Sequence, residues 1–191
     1  ETILLPFAYE PVHLQTNLPI EREVKKVCFI GNPDRQRADF IRALTKEGIA
    51  LDIYGNNWHK FIRSSIVQVF KPVYGDLLIS TIKKYRVQLN LLRMHNEDSH
   101  NMRSFEVPGY GGIMIAPKTA EHARFFRDRK EAFWFDSVKE CSELARQLLS
   151  IPADQADKIR LEAENACIEK GYTYRQRAQF AAKVIENLWR Q

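Results

Sequence analysis

Apolar residues in this chain fall into short bounded runs, and the segments between them carry a helical period. The first run, residues 26–30 (Lys-Val-Cys-Phe-Ile), is short enough to be a buried strand. It closes on Gly31-Asn32-Pro33-Asp34, a turn whose last residue is suited to cap a helix. Residues 35–47 follow with Phe40, Ile41 and Leu44 on one face, and Gly48 ends that helix. The same alternation repeats: strands at 49–54, 66–70, from Val87, at 113–116 and 132–135, with helices at 76–85, after Asn101, from Thr119 or Ala120, and 137–149. Pro152 opens a further helix that Gly171 stops. Thr173 starts the last one, whose apolar face of Tyr174, Ala178, Ala181, Ile185 and Leu188 is expected to point inward.

Strands alternating with helices six times predict an α/β chain, a doubly wound parallel sheet of about six strands with helices on both faces and a C-terminal helical segment. In the strand order 3-2-1-4-5-6, ligands enter the crevice outside the carboxyl ends of strands one and four. The loops 31–37 and 93–103 meet there, and they are the most polar arginine-bearing loops of the chain. The second loop gathers Asn96, Glu97, Asp98, Ser99, His100 and Asn101, then runs into a helix cut short by Pro108, Gly109, Gly111 and Gly112. A helix starting at the end of a parallel strand aims its N–H groups and positive dipole into the crevice, which suits a phosphate. Arg103 would add a bidentate cation, and Glu106, a turn on, a carboxylate for paired sugar hydroxyls.

Composition narrows the class. With 191 residues, 45% hydrophobic and 28% charged, the chain is an ordinary globular domain. A net charge of +5 fits an anionic small ligand, and no arginine-rich tract or aromatic–basic alternation calls for nucleic acid. No run is long enough to span a membrane. Cys28, Cys141 and Cys167 lack metal-ligand spacing and fit buried thiols in a reducing, cytoplasmic setting. His95, Glu97, Asp98 and His100 sit in one loop but match no defined zinc pattern, so no metal is expected. Residues 1–24, punctuated by Pro6, Pro11 and Pro19, read as an interdomain linker or surface arm ahead of a domain at 25–191.

The residues Arg103-Ser104-Phe105-Glu106-Val107-Pro108, Gly111-Gly112, Glu121-His122 and Phe126, in that order, resemble the C-terminal domain of CgeB-like glycosyltransferases, which have the two Rossmann-like domains called GT-B. Leu89-Asn90-Leu91 resembles their strand before the donor loop, and Gly171-Tyr172-Thr173-Tyr174 with Arg177 resembles their closing segment. The resemblance implies a domain that binds a nucleotide-diphosphate sugar as donor substrate, without a cofactor. It implies that Glu106 holds the ribose and Arg103 faces the diphosphate, with Arg35 or Arg37 opposite from the loop at Gly31. Asp98 takes the place where many retaining members carry glutamate, in the loop that includes His100 and Asn101. Lys71 to Tyr74 would lie near the base. His122 would stand near the sugar or pack under Phe125 and Phe126. The acceptor would be held by an N-terminal domain of the same polypeptide. Asp98 and the run from Val107 to Tyr110 depart from the usual pattern, which leaves a non-catalytic interaction module as the alternative.

Overall fold

The central strand explains the layering. In β1 (Val24–Ile30), Val27 and Phe29 point to one face and Cys28 and Ile30 to the other, and all four are buried. A strand apolar on both sides requires helices on both sides. The computed structural model describes residues 3–11, 23–96 and 98–189. After β1 come α1 (Arg35–Lys46), β2 (Leu51–Tyr54), β3 (Val67–Phe70), α2 (Gly75–Lys84), β4 (Tyr85–Leu89), α3 (Arg103–Gly109), β5 (Met114–Pro117), α4 (Ala120–Phe125), β6 (Phe133–Phe135), α5 (Val138–Ser150), α6 (Ala153–Glu169) and α7 (Tyr174–Trp189). The sheet is parallel throughout, in the expected order β3-β2-β1-β4-β5-β6.

Ile41 and Leu44 of α1 and Leu144 and Leu148 of α5 cover one face, against Val27, Leu51, Val87 and Ile115. Ile82 of α2, Phe105 of α3 and Phe125 of α4 cover the other, against Cys28, Ile30 and Met114. Local chemistry sets the helix starts: Asp34, Thr119 and Ser137 each accept a hydrogen bond from a first-turn amide. Where α6 ends, Gly171 takes φ +69°, a conformation that disfavours any residue with a side chain.

Arg86 in β4 is 0% exposed. Its Nε donates to Glu23 at 2.6 Å, its Nη2 pairs with the same carboxylate, and its Nη1 donates to the Ile151 carbonyl at 2.7 Å. Arg160 of α6 also pairs with Glu23. One carboxylate thus joins the start of β4 to the α5–α6 corner.

Three expectations change. Tyr85 is the first residue of β4, not the last inward residue of α2, because its hydroxyl reaches across β1 to Asp52 at 2.7 Å. α7 buries none of its residues: Tyr174, Ile185 and Leu188 are exposed, so its apolar stripe faces no partner among the described residues. The lead-in is partly stitched down rather than merely lying on a surface. Ala8 and Tyr9 are buried, and Tyr9 exchanges backbone hydrogen bonds with Tyr172 and Tyr174, both at 3.1 Å. Residues 12–22 and Glu97 lie outside the described residues.

Candidate functional site

The turn after β1 is pinned by its neighbours. Gly31 donates to the Tyr54 carbonyl at 2.9 Å, and its own carbonyl accepts from the Trp58 indole at 2.7 Å. A Cβ on Gly55 would stand 2.2 Å from the Gly31 oxygen, so the ends of β1 and β2 touch backbone to backbone. Gly31 therefore shapes the crevice, with both backbone groups already bonded within the protein.

Arg37 connects this turn to the loop after β4. Its Nη2 donates to Leu91 O at 2.7 Å, its Nη1 to Asn32 O at 3.2 Å and its Nε to Leu92 O at 3.4 Å. Burial lowers its pKa, and Arg93 nearby adds to that against the attraction of Asp34. The two loops meet as the strand order requires. The Arg37 guanidinium is turned into the protein, where it satisfies strand-end carbonyls. A cavity of about 110 Å³ lies alongside, lined by Arg37, Phe40, Leu91, Leu92, Arg93 and Pro117.

Beyond β4, a buried polar chain holds the start of α3. Asn101 Nδ2 donates to Asn90 Oδ1 at 2.9 Å, and Asn90 Nδ2 donates to Ser104 Oγ at 3.2 Å. Ser104 Oγ lies 2.8 Å from His122 Nε2, and His122 Nδ1 lies 2.8 Å from Pro117 O. The carbonyl requires a proton on Nδ1, so Nε2 accepts from the serine. His122 is 0% exposed and stacks on Trp134 with 5.0 Å between ring centres. Burial pushes its pKa down to about 4, so the ring is neutral at pH 7.

His100 is buried in an aromatic box of Phe7, Phe105 and Phe125. Its Nε2 accepts from the Phe7 amide at 3.0 Å and its Nδ1 pairs with Glu121, which also accepts from Ser99 Oγ at 2.6 Å. His100 and His122 are buried with their ring nitrogens bonded within the protein, and Asn101 is bonded to Asn90 and Ser104.

Ser104 is buried, and Arg103 and buried Glu106 pair with each other on the same helix. Arg103 Nη1 pairs with Glu106 Oε2 across one helical turn, and Arg103 Nε is left without a hydrogen-bond partner. Through Phe105, α3 packs on the sheet face formed by Cys28, Ile30 and Met114. Tyr110, raised to about 12 by burial and then by Glu106, and Tyr174, raised by burial and the same carboxylate, flank the pair. Arg35, Lys71, Tyr74 and Asp98 are exposed on the rim of the carboxyl-end loops. The sequence reading passed over Asn90, Ser104 and Arg93. The Asn101–Ser104 spacing, that of a helix cap and its third residue, was the signal for the first two.

A family model described as glycosyl transferase-like matches residues 35–183. The chain belongs to that family. No curated protein matches the sequence. Among solved structures, a glycosyltransferase from Rickettsia africae superposes with a TM-score of 0.72 at 10% identity, covering 98% of this chain and 57% of that one. Sucrose-phosphate synthase from Thermosynechococcus elongatus gives 0.70 at 13% identity, over 99% and 53%. HepE of Anabaena, solved with UDP and glucose, gives 0.63 at 9% identity, over 88% and 50%. These neighbours are GT-B glycosyltransferases, and this glycosyl transferase-like chain has their Rossmann-like fold. It covers between 50% and 57% of the length of each. Among the described residues of this glycosyl transferase-like chain, no helix is long and apolar enough to cross a membrane.

Proposed function

We propose that this chain is the donor-binding half of a glycosyltransferase, taking a nucleoside diphosphate sugar and passing the sugar to a hydroxyl acceptor. The observation that carries the reading is the Arg103–Glu106 pair, carried by α3, which follows the loop after β4 and packs on the Cys28 and Met114 face of the sheet. Glu106 keeps a carboxylate oxygen for ribose hydroxyls, and Arg103, part-exposed, offers its remaining Nη N–H groups to the diphosphate. As the bond from the anomeric carbon to phosphate breaks, negative charge grows on the leaving diphosphate, and a guanidinium fixed beforehand stabilises it. The acceptor oxygen bonds to the anomeric carbon and releases its proton to a base outside this chain. Arg35 supplies a second cation from the rim, Lys71 and Tyr74 flank the base, and Asp98 turns toward the sugar. An acceptor domain in the same polypeptide accords with the length of the GT-B neighbours, and three buried free cysteines accord with a cytoplasmic setting.

Titrating the chain with UDP, GDP and ADP tests this, because a ligand of the folded state raises the melting temperature. At least one should bind, and Arg103→Ala and Glu106→Ala should each weaken it about 10-fold or more, as for loss of a charged hydrogen bond. One observation favours a second reading, an interaction module that has lost its donor: Arg37 is occupied by carbonyls. Under that reading none of the three nucleotides shifts the melting temperature, and the enzymatic assignment falls.

A further inference from the structure

We propose that the chain Asn101–Asn90–Ser104–His122 is the positioning device of the donor site, setting the rotation and height of the first turn of α3 and so the aim of Arg103 and Glu106. The proposal rests on the donor reading for the ligand, and on geometry alone for the device.

α3 is seven residues long and contains Pro108. A helix that short does not hold its own place in water, so its position must come from what anchors it. The anchor is polar where an apolar one would serve stability equally well. Asn90, Ser104 and His122 are all buried, and burying such groups is costly unless each is bonded.

Here each bond has one direction. His122 Nδ1 donates to Pro117 O, which leaves Nε2 only able to accept. The single Ser104 hydroxyl proton goes there at 2.8 Å, with Asn101 Oδ1 the farther acceptor at 3.4 Å, and the Ser104 oxygen accepts from the Asn101 backbone amide at 3.1 Å and from Asn90 Nδ2. Asn90 Oδ1 then takes Asn101 Nδ2, and Asn101 Oδ1 accepts the Ser104 amide at 3.1 Å. Reversing any one amide or hydroxyl sets two donors or two acceptors against each other. The chain joins the end of β4, the end of β5, α4 and α3 in one arrangement. Ser104 lies between Arg103 and Glu106 in the helix, so a rotation at Ser104 sweeps both functional side chains across the crevice.

The test uses the full chain with Ser104→Ala, His122→Leu and His122→Gln, read by UDP titration and by amide hydrogen exchange at residues 101–106. Glutamine places its amide oxygen where Nε2 stands, so it keeps the acceptor for Ser104. Ser104→Ala and His122→Leu should weaken UDP about 10-fold and speed exchange at 101–106 while leaving α1 protected. His122→Gln should restore most of both. A core variant at the amino end of the sheet, Ile49→Val, controls for simple loss of stability and should leave affinity unchanged. Wild-type affinity and unchanged exchange in Ser104→Ala and His122→Leu would overturn the device, as would a His122→Gln variant as impaired as His122→Leu. If the wild-type chain binds none of UDP, GDP and ADP while the exchange pattern follows expectation, the donor reading falls and the device stands. A variant that does not fold is replaced by Asn101→Ala, judged by the same two readouts.

Discussion

Glu23→Gln isolates the effect of one carboxylate on a buried guanidinium. Arg86 is 0% exposed and directs Nε and Nη2 at Glu23, whose side chain is 22% exposed. The Arg86 hydrogen bonds, against an opposing effect of burial and with help from Arg160, hold the Glu23 pKa at about 2 rather than 4.5. That depression corresponds to about 3 kcal/mol of stability, and screening at the part-exposed carboxylate reduces it toward about 2. Because the folded pKa is the lower one, the stabilisation is complete above about pH 4.5 and is lost as the pH falls toward about 2. Removing the charge at pH 7 also leaves Arg86 buried without its counter-ion, a change that costs about 3 kcal/mol in comparable sites. Urea unfolding of wild type and variant at steps from pH 7 to 2.5 reads the difference directly. The two should differ by about 2–3 kcal/mol at pH 7 and converge toward pH 2.5. A difference below about 1 kcal/mol at pH 7, or one that does not change with pH, would refute the reasoning.

Gly55→Ala should destabilise by more than about 2 kcal/mol, since the new methyl meets backbone at Gly31 rather than a side chain that can turn away; thermal unfolding checks it. Arg37→Ala should cost about 1–3 kcal/mol by stranding the Leu91 and Leu92 carbonyls. Arg35→Ala should change stability by less than about 0.5 kcal/mol and weaken UDP instead, so the two variants, measured by urea unfolding and titration, separate the arginine that builds the crevice from the one that faces it.

The layering was legible because β1 and β5 are apolar on both faces where they are buried and the intervening segments are apolar on one. The caps at Asp34, Thr119 and Ser137 were legible because a capping side chain acts within three residues of itself. Arg37 was not, because the carbonyls it meets lie 54 and 55 residues away and carbonyls leave no mark in a sequence. His122 was read as standing at the sugar or packing under Phe125 and Phe126. It stacks on Trp134 and closes a polar chain, an arrangement set by two strand ends rather than by its own segment. Period alone marked the apolar stripe of α7 but carried no information on what covers it. The docking of Tyr9 is made by backbone groups, which every residue has, so no side-chain pattern announced it.

The Phe7 amide on His100 Nε2 and the paired backbone bonds of Tyr9 make the lead-in a tether with two knots. One knot is tied to the loop that carries Asp98 and the other to the start of α7. Tension on residues 3–11 therefore arrives at the mouth of the crevice and at the closing helix together. The lead-in, the Asp98 loop and the start of α7 are tied into one mechanical part.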